Sequence, residues 1–426
     1  MPDVADDSAP KDTRFDPSQI PVSDAAKAIV ADVRGQLLNY EKYYGLRRRA
    51  RRLIDQSRFD RMVSAIVCDL MHAAMIEPKT WRHISLSKRH HGAEGLGAPF
   101  MTADRIKIIQ WMATPDMDWL ELEKGQHVPY FGGRQSRIRA SARLLSRMDD
   151  HNIQYEDIGR DPALLGDPLV LRSPKVRGKA KLMEVPAGEP AHTFRAEVLR
   201  INAWLAGIAI SCDFDSDGCP RDVGDRWLRR IFNDGRMDQG GRLYGGFWQA
   251  MKSEDRLTDL EIDREKVAAL DFGQCAVRIA YGLAGAQPPS GDLYSIPGLA
   301  GTREGVKRVL NAMLARQGGM ARKPAGSAKY FGRDVSVGEI EEAILSHHRP
   351  IRELCYTGMG LTLQYIESLV LVRTLLDLAK KKLSALPIHD CLVVPVSVAE
   401  QVKKAMLHSF REVTGVEGMV TIHADT

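Results

Sequence analysis

Val267-Ala-Ala-Leu270-Asp271-Phe272-Gly273-Gln274-Cys275-Ala276-Val277-Arg278 and Leu386-Pro387-Ile388-His389-Asp390-Cys391-Leu392-Val393-Val394-Pro395-Val396 decide how this chain is read. In the first stretch an apolar strand ends on Asp271, and a helix is expected to start at the glycine that follows. In the second, two apolar runs flank His389-Asp390, the pattern of a hairpin whose turn presents one carboxylate. Ser397-Val-Ala-Glu400 predicts a capping box for the next helix. A charged Asp among apolar strands is costly unless a cation compensates it. Two such aspartates side by side would repel, and two divalent ions about 3.5–4 Å apart, the arrangement used for in-line phosphoryl transfer, would resolve that repulsion.

Between these stretches lies Thr302-Arg303-Glu-Gly-Val-Lys307-Arg308-Val-Leu310-Asn311-Ala-Met313-Leu-Ala315. Arg303 and Lys307 are four apart and share a helix face, beside an apolar stripe of Val306, Leu310 and Met313. Such a pair can grip the β- and γ-phosphates of a nucleotide. Taken singly, each segment also reads as a buried strand ending in a turn Asp, or as a solvated amphipathic helix. Their joint order is what carries weight.

That order resembles the palm and fingers motifs of family A DNA polymerases and the related single-subunit, phage-type RNA polymerases. Asp271-Phe-Gly-Gln-Cys-Ala-Val-Arg278 is similar to motif A, Arg303-x-x-x-Lys307 to the start of motif B, and Ile388-His389-Asp390 to motif C. Upstream, Asp238-Gln-Gly-Gly241-Arg242-Leu-Tyr244 resembles the segment preceding motif A in the RNA polymerases. The helix expected over Met359–Lys382, with Gln364, Glu367 and Ser368, takes the family's place before motif C. The resemblance covers residues 195–426. It implies an α+β fold: a right-hand palm with small helical fingers and thumb. It further implies two Mg²⁺ (or Mn²⁺) ions on Asp271 and Asp390, and Arg303 and Lys307 on a nucleoside triphosphate. Arg242, Arg278, Ala276 and Tyr294 would lie at the nucleotide and His389 near the primer end.

Two departures bear on chemistry. Family A DNA polymerases carry a Glu five residues after the motif A Asp, where it crowds the 2′-OH. Here that residue is Ala276, so NTPs are expected to be accepted, with dNTPs a second substrate class. Asn311 and Ala315 stand where motif B has its aromatic residue and its Tyr, leaving Tyr294 and Tyr330 as candidate base platforms. No stretch resembles a 3′–5′ exonuclease domain.

The N-terminal half reads differently. Residues 1–24 are expected to be a disordered acidic tail. Helical spacing begins at Ser23 and leads into the run Leu46-Arg47-Arg48-Arg49-Ala50-Arg51-Arg52, a solvated basic face or one turned to an anion. A second helix is expected over Arg58–Ile76, with Met62, Ile66, Leu70 and Ala73 inward, and a third from Thr102 to Pro115. The alternating Trp119–Gly133 predicts a hairpin, and Arg134, Arg137, Arg139 and Arg143 a further basic helix. Residues 25–160 are expected to form a helical, nucleic-acid-binding domain whose stretch over roughly 58–150 resembles a winged helix-turn-helix by pattern only, with Arg105 and Lys107 entering a major groove and Arg134, Arg137 and Arg139 along the backbone. Residues 161–192, rich in Pro, Gly and Lys, read as a linker with one or two short strands. Residues 193–260 read as a thumb-like segment leading into the palm, and 261–426 as palm and fingers.

Composition sets the outer bounds. The 426 residues carry a formal charge of +5, with 44% hydrophobic and 27% charged residues, which excludes a wholly disordered chain. No apolar run reaches the roughly 18 residues a membrane span needs, and the six scattered cysteines form no CxxC pair, so a cytoplasmic setting is expected. Asp213-Phe-Asp-Ser-Asp217-Gly218 copies half of a calcium loop but has Gly224 in place of its last ligand. His83, His90 and His91 lack partners at zinc spacing.

The favoured reading is a compact nucleic-acid polymerase, primase-like or primer-extending, acting on a DNA or RNA template and primer for a phage, plasmid or mobile element. Template-independent nucleotide addition, and a non-catalytic replication initiator or regulator with a degenerate palm, are the alternatives.

Overall fold

The computed structural model describes residues 13–87, 98–125, 127–128, 132–133, 135–212, 221–299, 303–332 and 335–424. It divides into two units, 1–166 with 214–224, and 167–213 with 225–426.

Within the expected tail, residues 13–24 form strands and the start of a helix, which corrects that expectation for its described part. Strand β1 (Thr13–Arg14) pairs with β3 (Arg82–His83), and β2 (Gln19–Pro21) pairs with β8 (Ile158–Arg160). Phe15, 7% exposed, anchors the segment in the core. The hydroxyl of Ser23 accepts the Ala26 N–H at 3.2 Å and opens α1 (Asp24–Tyr43). Helix α2 (Leu53–Ile76) buries the expected Met62, Ile66, Leu70 and Ala73, together with Val63, Val67 and Met71 on its other faces. It is buried nearly all round because it packs against α1 on one side and strands on the other. Helix α3 spans Asp104–Met112, and α4 (Ala142–Asp150) is capped by Ser141.

The winged-helix pattern is corrected at its hairpin. Strand β4 (Leu120–Glu123) pairs with β7 (Arg137–Ala140), and a small hairpin of β5 (His127–Val128) and β6 (Gly132–Gly133) lies between them in the chain. Residues 137–140 alternate, with Ile138 inside and Arg137 and Arg139 outside, so they form a strand where a helix was expected. The sheet order β1-β3-β7-β4 makes this strand an inner one.

In the second unit the expected linker supplies β9 (Leu169–Arg172) and β10 (Leu182–Met183). These join β12 (Arg229–Phe232) and β13 (Gly240–Tyr244) in a sheet ordered β10-β9-β12-β13. Helix α5 (Ala191–Ala206) buries Phe194, Val198, Ile201 and Leu205, the spacing seen in the sequence. The second sheet runs β11 (Ile210–Cys212), β14 (Leu260–Ile262), β15 (Glu265–Phe272), β17 (Cys391–Pro395), β16 (Leu386–Ile388), with β18 (Val420–Ala424) also on β15. Short α6 (Ser253–Asp259) precedes β14; α7 (Cys275–Leu283), α8 (Arg303–Ala315) and α9 (Val337–His347) follow β15. Helix α10 (Gly360–Lys381) is the hub, packing on β13, α5, α7 and α11 (Ala399–Thr414). Val398 precedes α11 with no side-chain cap, and Ser397 instead donates its N–H to Glu265, so the predicted capping box does not form. Among the described residues no helix is long and apolar enough to cross a membrane.

Candidate active site

Strand β15 separates its side chains by alternation. Ala268, Leu270 and Phe272 are buried, Phe272 against Phe410 of α11 at 5.4 Å, while Ala269 and Asp271 face the more open side. Asp271 sits between Cys391 of β17 and Thr421 of β18. The chain then turns through Gly273, whose N–H donates to the Met419 carbonyl at 2.9 Å, and Gln274 at φ 59° opens α7. A side chain on residue 273 would place its Cβ 3.2 Å from Met419.

His389 and Asp390 form the two-residue turn between β16 and β17, with His389 at φ 54°. The Phe272 N–H donates to the Asp390 carbonyl at 3.2 Å, tying this turn to the end of β15. The two aspartates, remote in sequence, thus come to one spot. Burial first, and then the Asp390 carboxylate, push the Asp271 carboxyl up to about 6. His423 and Lys307 pull in the opposite direction. His423 stands two residues from Thr421 on exposed β18 and had no signal in the sequence beyond that strand's alternation.

Behind the pair, Arg242 of β13 donates Nε and Nη2 to the two oxygens of Glu367 of α10, at 2.7 and 2.9 Å. Glu367 is 6% exposed. Burial raises its pKa, Arg242 counters that, and Asp390 and Asp271 add to the rise. His389 is held below the usual imidazole range by burial and by the charge of Arg242. Its ring meets Tyr244 edge-on at 5.1 Å, and its Nδ1 has no hydrogen-bond partner among the described residues.

Other expected site residues fall into different roles. Arg278, 9% exposed, donates to the Glu417 carbonyl at 3.0 Å and to Gln274 at 3.2 Å, bracing the start of α7. Tyr294 is 3% exposed with Arg303 over its ring at 5.3 Å, so its face is covered and not open to a base. Arg303 is held by Asp292 at 2.5 Å and Glu304 at 3.2 Å; Asp292 also accepts from Gln274 and from the Tyr294 N–H. Lys307 is exposed on the same helix, Tyr330 is half-buried beside Lys329 and Arg308, and Ala276 is half-buried in the first turn of α7.

In the first unit, Arg105 is fully buried. It donates to the carbonyls of Ser85 at 2.9 Å, Ser87 at 2.8 Å and Thr102 at 3.0 Å, which removes it from any groove. Arg51 is likewise enclosed, paired with Glu41 at 2.5 Å and lying 3.9 Å over the Phe59 ring. Arg137 and Arg139 are paired with Glu123 and Glu121, each at 2.6 Å, and both lie over Trp81. Arg47, Arg48, Arg49, Arg52 and Lys107 are exposed, Lys107 with Asp104 at 3.7 Å. Arg134, His90, His91 and residues 213–220 of the calcium-like loop lie outside the described residues.

Among the described residues no group of three or more His, Cys, Asp and Glu is arranged to hold a metal. The Asp271–Asp390 pair is nevertheless the donor set a hard divalent cation takes, carboxylate oxygens only. Burial and then the neighbouring Asp390 carboxylate raise the proton affinity of Asp271, and a bound cation would relieve the second of these.

No protein-family model matches the chain, and no curated protein matches it. Among solved structures it is similar to the POL domain of Pol1 from M. smegmatis in complex with DNA primer-template and dNTP. The identity is 12%, the TM-score 0.30, and the match covers 55% of this chain and 50% of that one. The chain therefore matches about half the length of that structure.

Proposed function

We propose that this chain is a nucleic-acid polymerase, primase-like or primer-extending, with Asp271 and Asp390 as its catalytic carboxylates. The observation that carries this reading is their convergence: two aspartates from separate segments meet at the end of β15, and burial, with the Asp390 carboxylate second, raises Asp271 to about 6. A protein gains nothing in stability from such a pair, so its presence is best explained by a cationic occupant.

The reaction is attack of a 3′-hydroxyl oxygen on the α-phosphorus of a nucleoside triphosphate. The new P–O bond forms as the bond to the β-phosphate breaks, pyrophosphate leaves, and the hydroxyl proton passes to solvent. Two Mg²⁺ or Mn²⁺ ions held by Asp271 and Asp390 would, when bound, acidify the hydroxyl and stabilise the leaving pyrophosphate.

The chain's own residues do the rest. Lys307, exposed and within the field of Asp271, meets the triphosphate. Arg303 joins it by exchanging Asp292 for phosphate, a move its exposed ion pair permits. Arg242 holds Glu367 and so keeps a third buried carboxylate neutralised beside the pair. His389, whose Nδ1 has no hydrogen-bond partner among the described residues, is the group we assign to the primer end beside Asp390. Ala276 leaves the sugar's 2′ position uncrowded, so NTPs are accepted.

The test is incorporation of labelled NTPs or dNTPs by the purified protein in Mg²⁺ or Mn²⁺, with and without single-stranded template and primer. Metal-dependent product supports the reading. Nucleic-acid binding with no incorporation under any of these conditions overturns it in favour of a degenerate palm.

A further inference from the structure

We propose that the first unit carries a binding site for single-stranded nucleic acid, built on an aromatic ladder at the end of α1. Trp111 of α3 lines a cavity of about 530 Å³ together with Arg47, Arg58, Met62, Lys107 and Ile108. From that wall the rings step outward: Trp111 to Tyr40 at 6.3 Å, Tyr40 to Tyr44 at 4.6 Å, Tyr44 to Tyr43 at 4.9 Å. The ladder ends in the open, with Tyr44 49% and Tyr43 83% exposed.

Tyr44 spends its hydroxyl on Asp116, but the Tyr43 ring stays open to solvent, and the charge around the rings selects the partner. The nearby carboxylates are already engaged: Glu41 by Arg51, Asp55 by Arg58 at 3.6 Å, Asp104 by Lys107 at 3.7 Å, and Asp116 by the Tyr44 hydroxyl at 2.5 Å. Arg47, Arg48, Arg49 and Arg52 follow the ladder directly in the chain, are exposed, and have no ion-pair partner among the described residues. The rings meet one another tilted or edge-on, so the exposed Tyr43 and Tyr44 leave ring faces open. Such faces beside a row of arginines match an unpaired strand, whose bases present flat faces and whose phosphates run alongside. A duplex keeps its bases stacked on one another and has no use for the ladder.

The test uses the full chain in EDTA without triphosphates, reading fluorescence anisotropy of a labelled oligo(dT) and of a duplex of equal length. Under these conditions chemistry at Asp271 plays no part, so failure of nucleotidyl transfer and failure of this site are told apart. The wild type is expected to prefer the single strand. Tyr43→Ala, at a position too exposed to disturb folding, is expected to weaken that binding by about fivefold or more, while Tyr43→Phe retains it. Replacing Arg47, Arg48, Arg49 and Arg52 by Ser is expected to flatten the salt dependence, by about 0.7 in log–log slope for each phosphate no longer neutralised. Unchanged affinity in Tyr43→Ala overturns the proposal. So does a loss of duplex affinity in Tyr43→Ala as large as the loss for the single strand, or binding of anionic lipid vesicles in place of either oligonucleotide.

Discussion

Replacing Asp271 by Asn is expected to make the protein more stable. In the folded protein the carboxyl titrates at about 6 against an ordinary value of 3.8. Folding therefore favours its protonated form, and the ionised form opposes folding. Below about pH 3 the group is largely neutral in both states and contributes little. As pH rises from 3.8 through 6 the unfolded chain ionises freely while the folded one resists, and the full penalty is present at neutral pH and above. A gap of this size corresponds to about 3 kcal/mol for a fully enclosed group. Asp271 is only partly enclosed, and solvent screening reduces the figure to about 1–2 kcal/mol. Spread over a unit of this size, that is an increase of roughly 2–8 °C in Tm.

The assay is denaturant unfolding of wild type and Asp271→Asn in EDTA across about pH 3–8. The gain in the variant should grow with pH and vanish at the acid end. Mg²⁺ or Mn²⁺ should stabilise the wild type and leave the variant nearly unmoved, because the ion takes the place of the proton. A variant that is equally or less stable at the alkaline end in EDTA would refute the reasoning, since Asp271 would then be a satisfied structural carboxylate.

Further outcomes follow from neighbouring geometry. Arg242→Met strands Glu367 beside two other carboxylates and should cost about 3 kcal/mol in denaturant unfolding, with much of the loss recovered when Glu367→Gln is added. Ala276→Glu should suppress incorporation of NTPs far more than that of dNTPs in parallel extension assays; equal loss of both would remove the sugar-gate assignment. Gly282→Ala, favourable by helix propensity, would bring a Cβ to 2.3 Å from the Thr414 carbonyl, a backbone atom. It should destabilise by about 1–3 kcal/mol in thermal unfolding.

The parts of the site written locally in the chain are the parts the sequence reveals. Asp271 and Asp390 stand out because each ends an apolar run, and the hairpin turn at His389-Asp390 follows from the lengths of its flanking strands. The link between Arg242 and Glu367 is tertiary, created where β13 crosses α10, and no spacing within either segment encodes it. His423 enters the field of Asp271 for the same reason, through the pairing of β18 with β15. Positive charge proved the least legible signal. Arg105 and Arg51 count as basic in any composition, yet carbonyls enclose the first and Glu41 holds the second. Arg137 and Arg139 were readable in principle, because residues 137–140 have the period of a strand. The ladder of Tyr40, Tyr43 and Tyr44 shows the reverse: its residues are close together in sequence, but only the placement of Trp111 makes them a continuous surface.

The most direct test of the account is single-turnover nucleotide incorporation by Asp271→Asn and Asp390→Asn beside the wild type, each shown to be folded by its unfolding midpoint. The account predicts metal-dependent incorporation by the wild type and a loss of about a thousandfold or more in each variant, on the scale of removing electrostatic stabilisation from a phosphoryl-transfer site. Incorporation that persists in both variants would contradict it.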